Sequence, residues 1–441
     1  MIKIIEGKKL MEEGLDKYLP RSKQQLDSIK ESVIRIVDDV KENGDAALRK
    51  YCMKFDKVNL DHAGLKVTDA EVERAYELVD DKLIQAIKKA VANIEKFHKA
   101  QLRDFWSIET MPGVKTGQVL RPIESVGIYV PGGRAAYPST VLMTAVPAKA
   151  AGVKKLIICS PPSRSTIKEE EYVGIHPSII VAAHECGVHD LYKIGSAWAI
   201  AAMAYGTETV SSVLKIIGPG NKYVNAAKLL VKDIVSIDSP AGPSEVAIIA
   251  DETANPEYIA YDLVSQVEHD PDNVGVLLSM SDTQIDQVIQ NLEEIVEKSP
   301  RSDIIKESLD KYGLIIKSVD LNEMIDITNA IATEHLQILT KDPKAVLPSI
   351  KNAGAIFLGE NSPVPLGDYC AGTNHVLPTG GSAERFSGLN TLEFMKIIDV
   401  LECSRNGLES LEKILTPLAE FEGLYGHRDA VKARLKNKKS K

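Results

Sequence analysis

Val126-Gly-Ile-Tyr-Val130, Leu156-Ile-Ile-Cys159, Lys215-Ile-Ile217 and Ile234-Val-Ser-Ile237 are four short apolar runs in one stretch of the chain. Helical patterns near residues 139–151, 177–187, 197–205 and 222–232 lie between them. Strand-like runs alternating with helices predict a parallel sheet with crossover helices. A second stretch repeats the theme with Glu245-Val-Ala-Ile-Ile249, Val274-Gly-Val-Leu-Leu278, Leu314-Ile-Ile316 and Ala355-Ile-Phe-Leu358. The expected fold class is therefore α/β, with two parallel-sheet domains.

Working outward, residues 1–23 are short and mixed, and Pro20 ends the segment. From Ile29 the apolar positions Val33, Ile36, Val37 and Val40 follow helical spacing, and Asn43-Gly44 is expected to stop that helix. Helical patterning continues to about residue 102. After about residue 390 the chain is expected to turn helical again and to end in a thin arm. Such an arm has little core of its own and is expected to pack on something else, such as a second subunit. No repeat of 20–50 residues and no low-complexity segment occurs.

At 441 residues, two to four domains are expected. Hydrophobic content of 44% with 26% charged residues is that of a soluble globular protein. A net charge of -9 argues against a general role on nucleic acid or a membrane surface, and the basic run Lys432 to Lys441 reads as a solvated end. The N-terminus lacks a signal-peptide apolar region, and no apolar stretch is long enough to span a bilayer. The five cysteines (Cys52, Cys159, Cys186, Cys370, Cys403) are scattered and form no CxxC, which fits reduced thiols and a cytoplasmic location.

Four of the nine histidines fall in the last two-fifths of the chain, each near carboxylates or an amide. Nitrogen and oxygen donors of this kind suit a zinc-type metal and acid–base chemistry near neutral pH. Gln266 and His269 lie three apart on a helix expected to begin at Asn255-Pro256, so both could share one metal; a histidine near a helix C-terminus is also favourable for its own sake. Glu334-His335 stands at the mouth of the strand Leu336-Gln-Ile-Leu339, where a carboxylate beside an imidazole can serve as an acid–base pair. Asp368 and His375 sit in a stretch dense in proline and glycine, from Pro363 to Gly381, which reads as a loop. Asp368 could be a hard metal ligand there, and Cys370 is a rival soft one, though an ordinary thiol is the plainer reading. His427, five residues after Glu422, lies in the arm and gains a role only if the arm reaches an active site.

Val130-Pro-Gly-Gly133 and Gly218-Pro-Gly-Asn221 are glycine turns beside an expected strand and helix. They could bring backbone N–H groups to a phosphate, or could simply be turns. Neither is a G-x-G-x-x-G, and no such fingerprint or P-loop lysine motif occurs in the chain.

Taken jointly, several segments resemble those of histidinol dehydrogenases. They are Val126-Gly-Ile-Tyr-Val-Pro-Gly-Gly133 with Tyr137-Pro-Ser-Thr140, Gly218-Pro-Gly-Asn-Lys-Tyr-Val224, Ala241-Gly-Pro-Ser-Glu245, Ser265-Gln-Val-Glu-His269, Glu334-His335, Leu366-Gly-Asp-Tyr369 with Thr373-Asn-His-Val-Leu-Pro378, and Glu422-Gly-Leu-Tyr-Gly-His427. The resemblance runs from about residue 30 to 430. It implies oxidation of L-histidinol to L-histidine, the end of histidine biosynthesis, with two NAD+ used in turn and L-histidinal held between the steps. It implies one Zn2+ per subunit on Gln266, His269, Asp368 and His427, and a catalytic pair Glu334 and His335. Substrate contacts would be Ser244, Gln266, His269, His335, Asp368, His375, Glu422 and His427; cofactor contacts would be Tyr129, Trp198 and Asn221.

The resemblance also implies two Rossmann-like domains lacking the fingerprint, small terminal domains, and an intertwined homodimer with exchanged arms. Residues 24–128 plus 244–389 would form the catalytic unit and 129–243 the cofactor side. Residues 1–23 plus 390–404 would form a small dimerisation unit, and 405–441 an arm reaching the partner's active site. One departure stands out: Trp198 replaces the glutamine usual in that family, trading an amide for one indole N–H and a broad stacking face. Asp270 and Thr333 also differ from the commonest family residues. A related dehydrogenase of another small alcohol, such as a sulfonated diol, and a catalytically idle zinc protein are the competing readings.

Overall fold

The computed structural model describes residues 2–19, 29–61, 64–132, 136–167, 170–238 and 242–436. Gly133, Ala241, Pro20 and the last residues of the basic tail lie outside them.

Two parallel sheets carry the molecule. In the larger, the strands Lys3–Glu6, Gly313–Lys317, Val274–Ser279, Glu245–Ala250, His335–Leu339 and Ala355–Leu358 lie side by side in that order. In the smaller, the order is Ser236–Ile237, Lys215–Ile217, Ser125–Tyr129, Lys155–Cys159 and Asp190–Tyr192. Every residue of Glu245–Ala250 and of Val274–Ser279 is buried, because helices cover both faces. The helices expected between the strands of the smaller sheet form as Pro138–Ala150, Pro177–Glu185, Ser196–Tyr205 and Lys222–Val231.

Several long-range placements differ from the sequence reading. The strand Lys3–Glu6 is the edge of the larger sheet, paired with Gly313–Lys317, rather than part of a separate unit with residues 390–404. The N-terminal helices cover the smaller sheet, not the larger. Val33, Val37, Val40 and Leu48 share a core with Tyr129, Trp198 and Ile200. Ile84, Ile87 and Ile94 share another with Ile128, Val141 and Ile158. Asn43-Gly44 ends the first helix as expected, and a second helix follows at once. Within Lys30–Tyr51 the two helices meet at a kink where Gly44 takes φ 50° and ψ -130°, and the Asp45 N–H beyond it donates to Glu208 Oε2 at 2.8 Å.

The segment after residue 390 makes only one short 3-10 turn, Thr391–Phe394, before it extends. Met395–Cys403 is a strand, antiparallel to Val114–Pro122, which pairs in turn with Trp106–Met111. Ile397, Ile398, Val400 and Leu401 on it are all exposed, so apolar residues point to both faces and no alternating pattern marks the strand. Beyond it the helices Arg405–Phe421 and Tyr425–Lys436 pack on each other as the expected arm, with the Arg405 guanidinium donating to the carbonyls of Arg434 and Leu435. The arm leaves Ile414, Leu418 and Leu424 exposed and Phe421 94% exposed, an apolar face that a single chain does not cover. No described helix is long and apolar enough to cross a membrane.

Candidate active site

Two strands of the larger sheet begin side by side with charged residues, Glu245 on one and His335 on its neighbour, and Glu334 immediately precedes the second. Backbone pairing fixes their relation. The Glu245 N–H donates to Glu334 Oε2 at 2.9 Å, and the Glu245 carbonyl lies 3.1 Å from His335 Nδ1. A carbonyl only accepts, so Nδ1 carries the hydrogen and Nε2 faces the site. Nε2 lies 3.3 Å from Asp368 Oδ1 outside hydrogen-bonding geometry, and neither atom has a hydrogen-bond partner among the described residues. Buried polar atoms left in this way ask for a ligand beside them.

Burial pushes the Glu334 carboxyl up to about 7, against the pull of His335 and of the Glu245 N–H. Burial lowers His335, but the Glu334 and Asp368 carboxylates more than offset this and hold the imidazole up at about 9. Asp368 itself is held below the usual range: burial raises it, and His335, His375 and His269 outweigh that. It stands on the short helix Val364–Tyr369 rather than in an irregular loop. His375 Nδ1 donates to the Asp368 carbonyl at 2.9 Å, and burial lowers its imidazole. Asn374 Nδ2 donates to the Met143 carbonyl at 2.6 Å, tying this segment to the Pro138–Ala150 helix of the smaller sheet.

The helix bearing Gln266 is Pro256–Val267, capped by Asn255 as expected, with Gln266 in its last turn and His269 just beyond its end. Asn273, which the sequence reading did not single out, joins two parts of the site. Its Nδ2 donates to the Gln266 carbonyl at 2.9 Å, and its Oδ1 accepts from the Ser244 N–H at 3.1 Å. Gln266, His269 and Asp368 bring one amide oxygen, one imidazole and one carboxylate, a donor set of the kind zinc takes. Glu422 and His427 lie exposed on the arm, and the described His, Cys, Asp and Glu side chains of one chain include no group of three able to hold a metal.

At the C-terminal edge of the smaller sheet, Tyr129 ends a strand and its hydroxyl accepts from the Ser196 N–H at 3.2 Å. Asn221 caps the Lys222–Val231 helix, accepting from the N–H groups of Tyr223 and Val224. The turn before it is pinned by a buried pair: Lys228 Nζ lies 2.6 Å from Asp238 Oδ1 and donates to the Gly218 carbonyl, while the Gly218 N–H donates to Asp238 Oδ2 at 2.7 Å. Glycines line this edge because a Cβ would not fit. One at Gly218 would stand 2.1 Å from the Tyr129 carbonyl oxygen, and one at Gly195 2.5 Å from Pro161 Cβ. Trp198 does not present the stacking face expected of it. It is 3% exposed, packed against Tyr51 and Phe55 with ring centroids 5.7 and 5.5 Å away, and its indole N–H has no hydrogen-bond partner among the described residues.

A family model described as histidinol dehydrogenase matches residues 19–435. The chain belongs to the histidinol dehydrogenase family. A histidinol dehydrogenase of Methanothermobacter thermautotrophicus is 44% identical over 423 residues, covering 96% of this chain and 97% of that protein. One from Clostridium acetobutylicum is 45% identical, with 96% of each covered. The solved structure of the Elizabethkingia anophelis histidinol dehydrogenase superposes with a TM-score of 0.93 at 38% identity, covering 99% of this chain and 98% of that one. Histidinol dehydrogenases are oxidoreductases, and membership makes this chain an enzyme of that class.

Proposed function

We propose that the protein oxidises L-histidinol to L-histidine through bound L-histidinal, with NAD as hydride acceptor and zinc on Gln266, His269, Asp368 and the partner's His427. The observation that carries this reading is the Glu334–His335 pair at the strand mouth, with His335 Nε2 and Asp368 Oδ1 buried together and lacking other partners. Zinc bound at these donors would neutralise Asp368, leave His335 Nε2 free to accept a proton, and hold the amine and imidazole of histidinol. His335 takes the hydroxyl proton as hydride leaves the carbinol carbon to NAD. His335 releases its first proton to solvent, Glu334 takes a proton from the water that adds to the aldehyde, and His335, again neutral, takes the next hydroxyl proton as the second hydride leaves. Each turnover therefore yields two NADH and one carboxylate. Tyr129, Asn221 and the glycine-lined edge of the smaller sheet form the cofactor side, since ligands of parallel sheets sit beyond the carboxyl ends of the strands. Trp198 serves there as packing beneath that edge.

The exposed apolar face of the arm supports a homodimer in which Glu422 and His427 complete the partner's site. The test is turnover: zinc-loaded protein should form two NADH per L-histidinol, lose activity to a chelator, and regain it with added zinc. NADH from a sulfonated diol but not from histidinol would favour the related dehydrogenase; full activity in metal-free protein would end the zinc assignment. Gly218→Ala tests the cofactor edge. Its Cβ collides with the Tyr129 backbone and its φ of +112° is strained for alanine, so a loss of about 1–3 kcal/mol of stability is expected, with a raised KM for NAD. Thermal unfolding and cofactor titration check both.

A further inference from the structure

The chain crosses from one unit to the other at His375. Val364, at the start of the short helix that bears Asp368, is buried in the core of the larger sheet with Val246 and Phe357. Val376 and Leu389 instead pack into the core of the smaller sheet with Ile94, Val141 and Met143. The helix Asp81–Lys99 and the residues just after it moor this crossing. Asn93 Nδ2 donates to the Cys370 carbonyl at 2.9 Å, and Gln101 Oε1 accepts from the Thr391 N–H at 3.0 Å. Between them lies Asn374, 7% exposed, facing His98 of the same helix, 0% exposed. His98 Nδ1 is 2.9 Å from the Ile94 carbonyl, which only accepts, so Nδ1 carries the hydrogen and Nε2 the lone pair. Asn374 Nδ2 donates to that Nε2 at 3.4 Å and to the Met143 carbonyl at 2.6 Å, while its Oδ1 accepts from the Val376 N–H at 2.8 Å. Hydrocarbon would meet the needs of packing here. A buried amide with its hydrogens and its oxygen all engaged fixes one orientation of the backbone that carries it.

We propose that Asn374 and His98 are positioning residues, a clamp at the crossing that holds the neighbouring His375 imidazole in place for substrate. This rests on the reading above that His375 contacts histidinol. His375 Nδ1 donates to the Asp368 carbonyl at 2.9 Å, which leaves Nε2 as its acceptor. That bond sets the ring's tilt, and the clamp one residue away sets where its backbone stands. Neither clamp residue reaches Tyr129 or Asn221 through any hydrogen bond among those described, so its loss should be felt by histidinol and not by the cofactor. Small misplacements of a positioning group are costly, up to about a hundredfold for a shift of about 1 Å.

The experiment compares full-length, zinc-loaded Asn374→Leu, His375→Ala and the double variant by steady-state kinetics and thermal unfolding. Asn374→Leu should lower kcat/KM for histidinol by about ten- to a hundredfold, with KM for NAD within about twofold of wild type. The double variant should be within about twofold of His375→Ala, because a clamp that acts through the imidazole has nothing left to hold once the ring is gone. Losses that multiply in the double variant overturn the proposal. So does a folded Asn374→Leu with a lower Tm and unchanged histidinol kinetics, the mark of a purely structural pair. Should Asn374→Leu not fold, His98 decides. His98→Leu removes the acceptor and should lower kcat/KM for histidinol about fivefold, and His98→Gln, whose amide oxygen can accept the same N–H, should restore it. Equal behaviour of those two variants overturns the proposal. If His375→Ala leaves histidinol kinetics unchanged, the substrate role of His375 falls and this inference with it, whereas multiplying losses remove only the inference.

Discussion

Glu334→Gln leaves oxidation of histidinol to the aldehyde nearly intact and slows oxidation of added histidinal by on the order of 10²–10⁴. The substitution keeps an oxygen to accept the Glu245 N–H but removes the group that takes the proton from water. In the unaltered enzyme burial sets that carboxyl at about 7, above its ordinary value. It acts as a base only when ionised, so the histidinal half-reaction should gain rate as pH rises through about 7 and lose it below. The glutamine variant should lose that dependence. Stopped-flow measurement of each half-reaction across pH checks both expectations. Equal losses in the two halves would refute the division of labour between Glu334 and His335. By contrast, His335→Asn removes the acceptor needed twice and should slow both halves.

The second large effect concerns the arm. His335→Asn and His427→Ala each reduce activity by on the order of a hundredfold or more as homodimers. A heterodimer of the two, coexpressed and purified through two different tags, should recover about half of wild-type activity, because exchanged arms assemble one intact site and one doubly altered site. If each arm served its own chain, both sites of the heterodimer would be damaged and nothing would return. The physical ground is the arm itself. Its two helices hold each other, bury little else, and leave Phe421 94% exposed, while His427 stands away from the donors it would have to join.

Much of the site was legible because its residues come in short local groups. Glu334 and His335 are adjacent, Gln266 and His269 are three apart, and Asp368 and His375 share one segment. Asn273 was not legible. Nothing in its local sequence sets it apart, and only the fold shows that its amide links the Gln266 carbonyl to Ser244. Trp198 was misread for a related reason. An indole offers a stacking face in principle, but Tyr51 arrives from a helix nearly 150 residues earlier and packs against it.

The sequence by itself determined most strands and helices of the two parallel units, though not the short strand Asp190–Tyr192 or the helix Val364–Tyr369, and the identities of the reactive side chains. Both are written in local periodicity and residue chemistry, where neighbours along the chain suffice. Only the tertiary structure decided that Lys3–Glu6 closes the larger sheet, that the helices from Lys30 to Lys99 cover the smaller one, and that Met395–Cys403 is a strand. Those choices rest on pairing and burial between residues up to some hundreds apart in sequence. Such pairings are selected by which apolar faces meet, and a local pattern carries no record of its distant partner.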